Sequence, residues 1–277
     1  MILPVVCTRP EADALTVRTI CAAAVLIAGC GSAAPSQVPL EQSPWISRER
    51  AGITVQADAQ DSARLGEWLT VAEAGRARIQ EFFGRTVDGG FTITVFPTRA
   101  AINAHWQDTF GAPNVQFPCW MVASATRAGV TMLSPRVWAS EQCGHDGGNA
   151  QETAMIVAHE IAHVLHARTS SHREINVLMS FKWYNEGIAN LAAGMYTDTA
   201  GLAASAASVS SLAAVIDLSN GYQVARSMAA FIDARYGRAR NADLLRRAST
   251  AEVLSDLGLS ESQFIEQWRA WCCQSVR

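Results

Sequence analysis

The chain has 277 residues, 49% of them apolar, enough for a buried core in one large domain or two lobes. Charged residues make up 17%, and 22 basic against 25 acidic side chains leave a formal charge of −3. Lysine occurs once, at Lys182, and the arginines form no basic run, so no nucleic-acid partner is expected.

Near the N-terminus, TICAAAVLIAG (Thr19 to Gly29) is an uncharged apolar run. It is too short for the roughly 20 residues of a spanning helix but has the length of a signal-peptide core. It leads into Ile27-Ala28-Gly29-Cys30, which resembles the bacterial lipobox, where a cysteine after small residues is acylated and becomes the new N-terminus. The resemblance implies a signal peptide over 1–29, lipid on Cys30, and a tether over 30–48 whose GSAAPSQVP composition suits a flexible spacer. Glu11 and Asp13 are out of place in a signal peptide, and a start at Val17 would remove them. The expected location is the bacterial cell envelope, outside the cytosol. There the cysteines past the anchor, Cys119, Cys143, Cys272 and Cys273, are disulfide candidates. Three connectivities are open. Cys119 with Cys143 is the first candidate, since it would close a loop of 143 − 119 = 24 residues around the expected hairpin, while the adjacent Cys272 and Cys273 would form a strained ring if joined to each other.

After the tether, Gly52 to Ala57 and Phe91 to Pro97 alternate and are rich in β-branched and aromatic residues, as strands are. Between them, Asp61 to Phe83 places apolar residues at helical spacing and stops at Gly84. A short helix is expected over TRAAINAHWQDTF, then two strands, Cys119 to Ala125 and Gly129 to Ser134, joined as a hairpin. From Asn149 the pattern is helical almost to the end. The fold class is α+β, with an N-terminal α/β part over 49–148 and a helical part over 149–277.

Four of the six histidines fall in AHEIAHVLHARTSSH, Ala158 to His172. On a helix His159 and His163 share a face and can converge on one ion, with Glu160 beside them. This is H-E-x-x-H, the spacing of two zinc ligands and a general base. His166 sits about 10 Å along the axis from His159, too far to share a metal whose nitrogens lie about 2 Å away. His105, His145 and His172 read as surface or structural histidines.

A third ligand should come from another helix. Downstream, WYNEGIAN (Trp183 to Asn190) presents Glu186, and here the chain resembles the gluzincins, metallopeptidases whose H-E-x-x-H is followed by a glutamate ligand on a later helix. The W-x-N-E-G-x-A context is similar to their aminopeptidase branch and to the peptidase MA-like family. GYQVARSMAAFIDARYG (Gly221 to Gly237) resembles that group's helix opening with a catalytic tyrosine, and ESQFIEQWRAW its closing helix. The resemblance implies one Zn2+ on His159, His163 and Glu186, Glu160 as general base, and Tyr222 as donor to the developing oxyanion. It also implies a zincin-like cleft between the two parts of the domain. Relatives commonly carry a carboxylate four residues after the ligand glutamate, to orient a histidine ligand. This chain has Asn190, whose amide oxygen can accept the same bond without its charge.

The expected function is a membrane-anchored zinc metallopeptidase that hydrolyses peptide bonds of a peptide or protein substrate with a zinc-activated water. No G-x-M-E-N-type stretch is present to hold a substrate amino group, which favours an endopeptidase. The alternatives are a non-catalytic zinc-containing envelope lipoprotein that binds a partner, and a hydrolase of a non-peptide amide. The strand Gly129 to Ser134 is the expected edge for an added substrate strand.

Overall fold

The computed structural model describes residues 45–274 except 112, 115, 116, 142, 143, 171–180 and 199, and it leaves out the side chains of 273 and 274. The signal segment, Cys30, His172, Cys143 and the side chain of Cys273 thus lie outside the described residues.

The described strands form one five-stranded mixed sheet. They are β1 (Trp45–Arg50), β2 (Ile53–Asp58), β3 (Phe91–Phe96), β4 (Ala123–Ala125) and β5 (Gly129–Leu133), in the order β1-β2-β3-β5-β4. The three central strands run parallel, and β1 and β4 flank them antiparallel. Register explains the alternation in sequence. Val55, Ile93 and Val130 are paired across neighbouring strands, as are Ala57, Val95 and Met132, so one face is apolar and buried. The opposite face carries Gln56, Thr94, Thr131 and Ser124, which hydrogen-bond one another in pairs at 2.8 Å.

Two expectations are corrected. A strand begins at Trp45, inside the segment assigned to the tether. All six β1 residues are exposed, so β1 has no buried face to give it an alternating pattern. It is fixed instead by a two-residue hairpin, Ala51-Gly52, with φ of 51° and 76°, the left-handed backbone that such a turn demands. Second, Gly129 to Leu133 is an interior strand, and the edge next to it is β4. β4 is also shorter than expected, because Cys119 to Val122 leave the ladder.

Helix α1 (Leu65–Phe83) follows a 3-10 turn over Ala59–Arg64 and ends at Gly84, whose φ of 60° makes it a left-handed cap. Helix α2 (Arg99–Thr109) starts at Thr98, whose hydroxyl accepts from the Ala101 amide. Trp106 of α2 donates its indole N–H to Thr131 on the polar face at 2.9 Å. Helix α3 (Ala150–Thr169) packs against α1, β4 and β5. It comes close to α1 at Gly75, where an added Cβ would lie 3.4 Å from the Ala158 backbone.

The remainder is helical: α4 (Lys182–Ala193), α5 (Leu202–Ser208), α6 (Gly221–Tyr236), α7 (Arg238–Leu244), α8 (Thr250–Leu257) and α9 (Glu261–Gln274). Large aromatic side chains lock these helices together while keeping their polar tips bonded. Trp183 donates to Thr250 Oγ1 at 2.9 Å, Trp268 to Ser227 Oγ at 3.0 Å, and the Tyr184 hydroxyl to the Asn241 carbonyl at 2.8 Å. The fold is therefore α+β, a mixed sheet followed by a mainly helical part. Among the described residues no helix is long and apolar enough to cross a membrane.

Candidate metal centre

Asn149 caps α3 by accepting from the amides of Gln151 and Glu152 at 3.0 and 3.1 Å. Nearly three turns further on, His159 and His163 project from one face, with ring centroids 4.6 Å apart. Helix α4 packs across α3 and brings in Glu186. Its Oε2 lies 3.2 Å from His159 Nε2 and 3.6 Å from His163 Nε2, and the two Nε2 atoms are 3.0 Å apart. Three electron-pair donors thus converge, and this group could hold a metal ion.

The protonation of the group follows from its surroundings. Burial opposes charge on His163, but the Glu186 carboxylate beside it prevails and lifts the imidazole to about 9. Burial would likewise raise Glu186, yet the charge on His163 and hydrogen bonds from both imidazoles hold it well below the usual carboxylate range. Glu160 is pushed up, chiefly by burial, and its Oε2 has no hydrogen-bond partner among the described residues.

Asn185, one residue before Glu186, sets the orientation of His163: its Oδ1 lies 3.2 Å from Nδ1. With that oxygen as acceptor, Nδ1 carries a proton, and Nε2 is the nitrogen left for a metal once the second proton of the imidazolium is displaced. The sequence places this role four residues after Glu186, on Asn190. Asn190 is fully buried, but neither of its amide atoms has a partner among the described residues, and neither does His159 Nδ1. The bond expected from Asn190 to a ligand imidazole is not formed. The only sequence signal for Asn185 is its adjacency to Glu186.

Helix α6 crosses α4 at Gly187, where an added Cβ would lie 2.3 Å from the Ala225 carbonyl oxygen. Only glycine permits that approach, and it brings Tyr222, one turn before Ala225, to the donor group. The start of α6 is equally tight, since a Cβ on Gly221 would lie 2.4 Å from the Val215 oxygen. Burial, then the charge of Glu186, the neighbouring Tyr196 and the charge of Glu160, push the Tyr222 phenol up, so it stays protonated and can donate.

The other described histidines, His105, His145 and His166, are not among the converging donors. His166 is buried against Phe181 and Tyr184, with ring centroids at 5.8 and 6.0 Å, and burial pushes it down to about 4. His145 bridges Glu152 of α3 at 2.7 Å and the Trp120 carbonyl at 3.0 Å. His105 lies 3.3 Å from the Thr109 hydroxyl. Among the cysteines, Cys119 is exposed and Cys272 buried, and the expected Cys119–Cys143 pairing falls on a residue outside the described ones. Compared with protein-family models and with curated proteins, the chain matches none.

Proposed function

We propose that the chain is a zinc-dependent peptidase, of endopeptidase type, held at the cell envelope by lipid on Cys30. The observation that carries the reading is the convergence of His159, His163 and Glu186, with Glu160 outside that donor set and its Oε2 without a hydrogen-bond partner among the described residues.

The donor set fits zinc. Two imidazoles and one carboxylate suit a borderline ion, whereas calcium and magnesium take oxygen ligands. Ligand atoms about 2.0–2.1 Å from zinc at a tetrahedral angle lie about 3.3 Å from each other. The three separations here, 3.0, 3.2 and 3.6 Å, bracket that value. Three protein ligands leave a fourth position open, the arrangement of a catalytic zinc site. When bound, zinc would polarise the scissile carbonyl and make a water molecule acidic enough to attack near neutral pH.

The chain's own residues supply the rest. Glu160 takes the proton of the attacking water and delivers it to the leaving amine as the C–N bond breaks. Burial raises its proton affinity above that of an ordinary carboxylate, which helps it hold the proton between the two halves of that transfer. Tyr222 donates its phenolic hydrogen to the carbonyl oxygen as negative charge builds there. Asn185 keeps His163 in its ligand tautomer. An extended substrate would add to the free edge of β4, which packs beside α3. The cleft that this pairing needs, between the sheet and the helical part, belongs to the same proposal.

Digestion of a peptide library tests the reading. The wild-type protein should cleave internal peptide bonds, while Glu160→Gln should keep its metal and cleave nothing. A protein that holds zinc but leaves the whole library intact would favour the non-catalytic lipoprotein instead. The anchor is tested by Cys30→Ser, which should move the protein from the membrane fraction to the soluble one. A wild type that is already soluble contradicts it.

A further inference from the structure

Four large apolar side chains are exposed among the described residues, Trp45, Ile46, Trp120 and Tyr196. The first two lie together on β1, but the other two flank Tyr222 beside the donor group. The Trp120 ring centroid is 6.1 Å from that of Tyr222 in an edge-on contact, and Tyr196 stacks on Tyr222 at 5.8 Å. Trp120 is 52% exposed and Tyr196 44% exposed. An indole left this far in water gives up much of the stabilisation that burial would bring.

The backbone under Trp120 is nevertheless fixed from several sides. Arg99 donates to the Cys119 carbonyl at 2.7 Å and to the Met121 carbonyl at 2.6 Å. The Trp120 carbonyl is held by His145 at 3.0 Å. His145 in turn is held by Glu152 on α3, the helix that carries two of the three donors. Tyr196 follows the Gly194 cap of α4 with a φ of 52°, a left-handed backbone in which an aromatic residue is strained. Both exposed rings are thus held in place at some cost. Of the acidic groups near this wall, Glu152 is already taken by His145 and the Asp146 amide, while Glu186 and Glu160 act on the rings from the donor side.

We infer that Trp120, Tyr196 and Tyr222 form a preorganised subsite that takes an aromatic side chain of the substrate next to the bond to be cut. The inference rests on the peptidase reading for its substrate class. Two exposed rings in contact with a third leave edges and faces for a further ring, and edge-to-face and stacked aromatic contacts add attraction beyond the area they bury. An aliphatic side chain would fill the space without that increment, and an anionic one would meet the negative charge of Glu186 and Glu160.

The test measures binding and cleavage separately. The binding arm uses zinc-supplemented Glu160→Gln protein and an acetylated, amidated alanine–glycine octapeptide. Each of eight further peptides carries phenylalanine at one position in turn. Titration should find at least one phenylalanine peptide bound tenfold or more tightly than the parent. Trp120→Ala and Tyr196→Ala, each added to that protein, should reduce the preference to threefold or less, with metal content and melting temperature unchanged. Tyr196→Phe should keep it. In the cleavage arm the wild type should show the same preference in kcat/KM and the two alanine variants should lose it. Binding preference without any cleavage defeats the peptidase reading and leaves the subsite standing. Cleavage with no phenylalanine preference, or a preference that survives both alanine variants, overturns the subsite. So does tight binding of an N-acetylglucosamine tetramer with no discrimination among the peptides, since the rings would then be a sugar platform.

Discussion

At the residue scale, burial and neighbouring charge give chemically alike groups different work. Tyr222 and Tyr184 are both tyrosines packed against the helices of the site. The Tyr184 hydroxyl already donates to a backbone carbonyl, whereas among the described residues no hydrogen bond from Tyr222 accompanies its ring contacts, and its phenol faces two glutamates. Tyr222→Phe removes only the hydroxyl, so metal, stability and the ring stack should persist. Its kcat should fall by roughly 10²-fold or more, the scale for loss of one oxyanion donor. Steady-state kinetics decides this, and near-full turnover would make Tyr222 a packing residue. His166 offers a separate test. Its folded value of about 4 lies below the unfolded value of about 6.5, so the unfolded chain takes up the proton first as pH falls. The stability linked to neutral His166 is fully present above about pH 6.5 and is lost as pH drops toward 4, on the order of 3 kcal/mol in all. Denaturant unfolding of chelator-treated wild type and His166→Leu at pH 7 and pH 4.5 should show a much smaller acid loss in the variant. Parallel losses would mean that His166 ionises freely in the fold.

At the element scale, the site depends on how closely α4 and α6 pass. Gly187→Ala would drive a methyl group into the Ala225 carbonyl, and because both partners lie on helix backbone, the helices themselves must separate. Overpacking of this kind costs about 1–3 kcal/mol, which lowers the melting temperature by about 3–10 °C in a domain of this size. Turnover at 25 °C should fall more than that loss of stability explains, because Tyr222 moves off with α6. Calorimetry and kinetics on the same preparation check it, and an unchanged variant would show that the crossing has slack. This contact also marks what sequence can and cannot disclose. The β2, β3 and α1 segments announce themselves because each buries one face with a regular period. β1 buries none, and its pairing comes from the turn that precedes β2. Strand order leaves no periodic trace, so the edge position went to Gly129 to Ser134 rather than to β4. The spacing of His159 and His163 on one helix is legible because helical geometry is fixed. The partner of His163 is set instead by how α4 meets α3, and Asn185 is in reach where Asn190 is not. Trp120 falls within a segment that scans as strand, and only the structure frees it from the ladder and turns it to the site.

At the scale of the whole molecule, His159 and His163 come from α3, the helix that packs on the sheet, and Glu186 from α4, the next described helix, so the donors belong to two separate parts of the helical half. An ion bound by all three ties those parts together, so its binding energy is also folding energy. Without an ion, proximity of the imidazoles and the carboxylate raises His163 to about 9, and an incoming metal must displace that proton. The most direct test of the account is elemental analysis of the purified protein and its single variants, paired with thermal unfolding before and after chelation. Wild type, Glu160→Gln and His166→Ala should each carry about one zinc per chain, and for wild type chelation should lower the melting temperature. His159→Ala, His163→Ala and Glu186→Ala should each lose the metal and melt near the chelated wild type. Zinc retained in full by Glu186→Ala, or a wild type that holds none and melts the same with or without chelator, would contradict it.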